Sequence, residues 1–204
     1  MFKPQALTAC ALFAAMVAPA FATDVALATS EGQAGYGQWT QFNVSDIDSR
    51  SFSVEWIDLT DSTTDAFGTP LAFSFTIAAG TIGTLSVVDG AFAGDTFRLT
   101  NFGNLIGNTS AVATTTYADA ADLGYDFDAA FGNASFSQGV FSLGAGSYRI
   151  GGSLDQSVTL DGLPLNATVG ALRLTVAPVP EPSSYALLLA GLGVVSLLTR
   201  HRRR

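Results

Sequence analysis

Apolar and polar positions alternate in short runs along most of the chain. In Ser51–Asp58, Phe52, Val54 and Trp56 alternate with Ser51, Ser53 and Glu55, the period of two that marks a strand with one buried face. Ala72–Ala78 sets Phe73, Phe75 and Ile77 against Ser74 and Thr76, and Thr96–Thr100 sets Phe97 and Leu99 against Arg98. Thr84–Val88, Ser135–Leu143, Ser147–Ile150, Gln156–Leu160 and Val169–Val176 read the same way. In Val169–Val176, Leu172, Leu174 and Val176 share a face opposite Arg173 and Thr175. Turn residues separate these runs at Ala79-Gly80, Asp89-Gly90, Gly94-Asp95, Asn101–Asn104, Gly144–Gly146 and Asp161-Gly162. Strands this short, each with one apolar face, predict an all-β fold. The expectation is two antiparallel sheets packed as a jelly-roll-like β-sandwich, with a closed barrel as the alternative. Tyr117–Ala130 lacks the alternation and predicts a surface loop or a short helix.

Both ends break the pattern. Met1–Ala22 has one charge at Lys3, an apolar stretch from Ala6 to Val17, and small residues at Ala20 and Ala22. That order predicts an N-terminal signal helix, removed before Thr23. Leu7-Thr8-Ala9-Cys10 spells a lipoprotein box, but most of the apolar core follows Cys10, so lipidation is rejected. At the other end, alternating prolines from Pro178 to Pro182 make a stiff spacer. The uncharged run Tyr185–Thr199 and the cluster Arg200-His201-Arg202-Arg203-Arg204 follow. These predict a single transmembrane helix at 185–199 with its basic end cytoplasmic. At about 1.5 Å per residue it spans roughly 22 Å, short of a hydrocarbon core of about 30 Å. The expected division is a signal peptide at 1–22, a β ectodomain at 23–177 and a tail at 178–204.

Charge and residue usage then narrow the function. Between Thr23 and Val179 stand sixteen acids and four arginines, Arg50, Arg98, Arg149 and Arg173, for a net charge of −12. Such a surface repels nucleic acid. The same segment holds no Cys, His or Lys. Disulfides, Cys- or His-ligated metals and His-, Cys- or Lys-based nucleophilic chemistry are therefore excluded from it.

The C-terminal residues carry a specific resemblance. Pro180-Glu181-Pro182, two serines, a short apolar stretch and the arginines Arg200, Arg202, Arg203 and Arg204 resemble the PEP-CTERM sorting signal. That resemblance implies recognition by exosortase in a Gram-negative bacterium and release or transfer at the tail. It also implies transient anchoring in the inner membrane and an exopolysaccharide- or biofilm-linked setting. The ectodomain is similar to PEP-CTERM proteins of the FxDxF type through Leu85–Phe97, Asn101–Asn104 and Phe141–Tyr148. Thr63 replaces the first Phe of that motif in Thr63–Phe67.

Candidate chemistry in the ectodomain is sparse. Asp119, Asp122, Asp126 and Asp128 fall within ten residues and could supply oxygens to calcium; a solvated acidic loop is the competing reading. Trp39, Tyr36, Phe42 and Trp56 could form a sugar-stacking platform, although Trp56 shares a strand face with Phe52 and Val54. Glu31 and Glu55 carry no catalytic motif, so no enzyme and no catalytic residue are expected. Apart from calcium, no cofactor is expected. The reading is a non-enzymatic surface or matrix protein, structural or adhesive, with exosortase and possible extracellular polysaccharide as partners. A carbohydrate- or calcium-binding module of the same matrix is the alternative.

Overall fold

In the computed structural model, residues 23–59, 67–179, 187 and 189–192 are described. The signal helix, the cleavage residues Ala20 and Ala22, and the sorting residues Pro180, Glu181, Pro182, Arg200, Arg202, Arg203 and Arg204 lie outside them. Most of the 185–199 stretch does too. Residues 187 and 189–192 are helical. Among the described residues, no helix is long and apolar enough to cross a membrane.

Strands dominate the rest. In chain order they are β1 (Thr23–Ala26), β2 (Thr40–Ser45), β3 (Ile57–Asp58), β4 (Thr69–Ile77), β5 (Thr81–Asp89), β6 (Ala91–Phe92) and β7 (Thr96–Asn101). Then come β8 (Asn104–Asn108), β9 (Asp122–Gly124), the helix α1 (Phe127–Phe131), β10 (Gln138–Leu143) and β11 (Gly146–Gln156). β12 (Thr159–Leu160), β13 (Leu163–Pro164) and β14 (Ala167–Pro178) complete the series.

Ten strands form one continuous sheet in the order β10-β5-β14-β2-β3-β4-β11-β7-β8, with β1 added in parallel along β4. All other pairings in it are antiparallel. The two-residue β3 is the corner: it pairs with β2 at Asn43 and with β4 at Pro70 and Thr69. It thereby joins a β10-β5-β14-β2 face to a β4-β11-β7-β8 face. The far edges approach each other as well, because Ser110 N, just beyond β8, donates to Gln138 O of β10 at 2.8 Å. The sheet is nearly closed, intermediate between the expected sandwich and its barrel alternative.

The core between the faces is aromatic. Phe42, Trp56, Phe73 and Phe97 are fully buried together with Leu85, Leu99, Ile150 and Leu172. Burial of side chains this large contributes about 1.5–3 kcal/mol each, in a domain without cysteines. A second, smaller cluster lies outside the sheet, where α1 covers Val88, Val169 and Ala171 with Phe127 and Ala130. Asp126 starts that helix by accepting from Ala129 N at 3.0 Å, and Phe127 and Ala130, three apart, face the sheet. β14 is therefore apolar on both faces at Val169–Leu172 and alternates only beyond it.

Several expected strands change. In Ser51–Asp58 only Ile57–Asp58 is a strand. Phe52 has φ +50° and is exposed, while Trp56 is buried. A left-handed residue reverses the alternation, and the hydroxyls of Ser49, Ser51 and Ser53 turn inward to the Glu55 carboxylate. Gln156–Leu160 is likewise broken between β11 and β12. There the Val158 N–H donates to the carboxylate of Asp95 at 2.7 Å instead of to a neighbouring strand. The Tyr117–Ala130 segment holds both β9 and the start of α1.

Candidate functional site

The passage from β5 through β6 to β7 runs Asp89-Gly90-Ala91-Phe92-Ala93-Gly94-Asp95 and buries a carboxylate at each end. Two residues make the tight path possible: Ala91 at φ +53° and Gly94 at φ +130°. At Gly94 a Cβ would also press on Val158. Asp89 closes the loop from within, its Oδ2 accepting from Gly94 N and Asp95 N, both at 3.2 Å. Its Oδ1 has no hydrogen-bond partner among the described residues. Asp95 reaches across to the β11–β12 connection, accepting from Val158 N at 2.7 Å, with the hydroxyls of Thr168 and Ser157 nearby.

Burial disfavours the ionised form of both groups. The Asp89 carboxyl is pushed up to about 9, by desolvation first and by the nearby charge of Asp95 second, opposed by the backbone N–H groups around it. Asp95 is pushed up to about 6 by desolvation, moderated by its hydrogen bonds. Both carboxyls are therefore biased toward the neutral form, Asp89 more than Asp95.

Asp95 also lines a cavity of about 290 Å³. β2 contributes Asn43, Val44 and Ser45, β14 contributes Ala167, Thr168 and Val169, and β6 contributes Ala91 and Phe92. Tyr117 and Tyr125 come from the long segment between β8 and α1, and Asp48 from the turn after β2. Phe92 and Tyr117 pack together with ring centroids 4.4 Å apart, and Tyr125 sits edge-on to Phe127 at 6.4 Å. The walls are thus aromatic and aliphatic, with polar oxygens set among them, and no basic side chain among the described residues lines them.

The acidic loop weighed as a calcium site or a solvated surface spreads its carboxylates among different partners. Asp119 accepts from Thr116 Oγ1 at 2.6 Å, Asp122 from Gly124 N at 2.9 Å, and Asp126 caps α1. Asp128 accepts from Trp39 Nε1 at 2.9 Å and pairs with Arg173 at 3.1 Å. The four carboxylates thus point to four separate sets of partners. Among the described residues, no group of three or more His, Cys, Asp or Glu is placed to hold a metal ion.

The aromatic platform is likewise not assembled. Phe42 and Trp56 are in the core, Tyr36 Oη donates to Val176 O at 2.8 Å, and Trp39 lies under the Arg173 guanidinium at 4.2 Å. Glu31 is exposed in a turn, and Glu55 is occupied by serine hydroxyls. What the sequence reading missed is Asp89, Asp95, Phe92, Tyr117 and Tyr125. The one available signal was the pair of acids bracketing five uncharged residues, Gly90–Gly94.

β14 runs to Pro178, and just beyond it Val179 N donates to Gly80 O at 2.8 Å. The PEP-CTERM protein-sorting motif matches residues 178–204. The chain carries a PEP-CTERM sorting signal. That motif supports an exported protein sorted by exosortase, and it occupies the segment that follows the sheet. The match covers the tail and leaves the β domain unassigned. Among curated proteins no relative matches the chain. The pre-peptidase C-terminal domain of a collagenase from Bacillus anthracis is structurally similar at a TM-score of 0.34 and 12% identity. That similarity spans 77% of this chain and 97% of the collagenase domain.

Proposed function

We propose that the protein is a non-enzymatic component of the cell surface or extracellular matrix of a Gram-negative bacterium. In this reading exosortase delivers it after transient anchoring in the inner membrane, and the β domain is a structural or adhesive unit in an exopolysaccharide or biofilm setting. The observation that carries the reading is the junction at Pro178. The sheet finishes at that residue and the sorting motif begins there. Ala167–Ala177 pair with β5 and β2 ahead of the address, and only Pro178 and Val179 belong to both, so a chain cut after Val179 should keep the fold. The strongly acidic domain, with no His, Cys or Lys, favours a structural part over a catalyst.

Intact mass of the exported protein, compared between cells with and without exosortase, tests this reading. Loss of the tail only where the enzyme is present supports it, and a tail retained in both overturns it. Deletion of the gene should in addition weaken cohesion of the biofilm while leaving secreted enzyme activities unchanged.

A further inference from the structure

We propose that the cavity between β2, β6 and β14 is a receptor for a single neutral sugar ring, a class of ligand that fits its walls, its oxygens and its charge together. The proposal deepens the surface-protein reading and rests on it only for where the ligand is met. The cavity volume of about 290 Å³ lies at the lower end of ligand clefts, roughly 300–1,000 Å³. It admits one ring and not a polymer lying along a groove.

The walls match a pyranose. Phe92 and Tyr117, packed against each other at 4.4 Å, and the 70% exposed Tyr125 offer aromatic faces to the C–H side of a sugar. The oxygens match its hydroxyls. Asp95 sits at the floor, 2% exposed, with Thr168 beside it, and Asn43, Ser45 and Asp48 add acceptors and donors along one side. Asp95 accepts from Val158 N at 2.7 Å and Asp48 from Ser45 Oγ at 2.7 Å, which sets the direction each carboxylate presents.

The charge selects among sugars. Two carboxylates and no basic side chain line the cavity among the described residues, so a uronate, sulfate or phosphate would be repelled. A carboxylate accepts two hydroxyl hydrogen bonds and discriminates a hydroxyl from its absence. A neutral ring with free hydroxyls is what remains.

Titration calorimetry on the exported protein purified from its culture tests the proposal. The probes are glucose, galactose, mannose and N-acetylglucosamine, each also as its oligosaccharide, with glucuronate and galacturonate as acidic counterparts. At least one neutral sugar should bind in the millimolar range or tighter, with the acidic counterparts much weaker. Tighter binding of the oligosaccharide marks a polysaccharide end as the ligand, and equal binding marks a free sugar.

Tyr125→Ala and Tyr117→Ala should each weaken binding about fivefold or more while the protein still melts cooperatively. Asp95→Asn should abolish binding, but its burial makes misfolding a risk, so the two exposed tyrosines carry the test. No binding of any neutral probe, binding unaffected by both tyrosine variants, or equal binding of the acidic sugars would overturn the proposal. The exosortase mass comparison does not depend on any of these results, so failure here and failure of sorting are separable.

Discussion

The ring of Phe42 lies flat against the indole of Trp56, with 3.9 Å between centroids and 17° between planes. Phe97 closes on both rings edge-on, at 5.0 and 6.4 Å. The stack fits only because glycines stand on either side of it. Gly170 on β14 backs Phe42, and Gly152 on β11 backs Trp56. A Cβ at either position would run into the facing ring and come within 2.9 Å of Val88 O or 2.7 Å of Arg98 O respectively. Backbone carbonyls held in sheet pairings cannot retreat.

Gly152→Ala and Gly170→Ala should therefore each destabilise the domain by about 1–3 kcal/mol through overpacking. Gly144→Ala, with open space around its Cα, should change stability by no more than about 0.5 kcal/mol. Urea unfolding followed by tryptophan fluorescence reads all three, since Trp56 reports the stack directly. Equal stability of the Gly152 and Gly144 variants would contradict the packing argument.

The buried acids set the pH dependence. Asp89 and Asp95 have folded-state values of about 9 and about 6, both above the ordinary 3.8. The native state therefore holds protons that the unfolded chain has already released. Their contribution is fully present below about pH 4 and is lost as pH rises. It should fall more steeply up to pH 6, where both groups contribute, and more gently from 6 to 9, where Asp89 acts alone. Asp89→Asn keeps an acceptor for Gly94 N and Asp95 N and removes the titrating group. Its melting temperature should exceed that of the parent at pH 8 and approach it at pH 5. A parent curve rising from pH 5 to 8, once other carboxylates are accounted for by the variant, would refute the assignment.

Period-two alternation identified the strands wherever one face is buried and the other wet, as at Phe73, Phe75 and Ile77 in β4 or Leu172 and Leu174 in β14. It failed where that condition failed. Phe52 is apolar but exposed at positive φ, and Trp56 enters the core from a residue outside any strand. β1 and β2 are short and polar enough that only their partners define them. The site was less legible than the fold. Asp95 matters through Val158 and Thr168, more than sixty residues away in sequence, and no local pattern encodes such a pairing. Conversely, the four clustered aspartates of the long loop are neighbours in sequence but have separate partners in space.

Calcium provides a direct check on that dispersal. With Asp126 capping α1 and Asp128 held by Trp39 and Arg173, millimolar Ca²⁺ should leave the melting temperature unchanged. A specific site would raise it by mass action. Asp128→Asn should instead cost about 0.5 kcal/mol or less, independent of calcium, because the pair it breaks is largely solvent-exposed. A calcium-dependent rise abolished by Asp126→Asn with Asp128→Asn would restore the cation reading.

The tail should prove separable from the fold. Val179 donates its N–H to Gly80 O just beyond β14, and Glu181 lies two residues further along the chain. A chain ending at Val179 keeps all of the β14 pairings with β5 and β2. It should unfold at the same urea midpoint as the protein carrying its tail. Glu181→Gln should also leave that midpoint unchanged, since Glu181 follows the end of β14 in sequence. Both changes should nevertheless alter the fate of the protein in the cell. The truncated chain loses the sorting motif entirely, and the Gln variant loses the one acid that separates its two prolines. Intact mass and surface fractionation read this outcome: the truncated form folded but missorted, the Gln variant accumulating with its tail uncleaved. Normal surface delivery of the truncated chain would show that the domain carries its own address, and would leave the motif without a role in sorting.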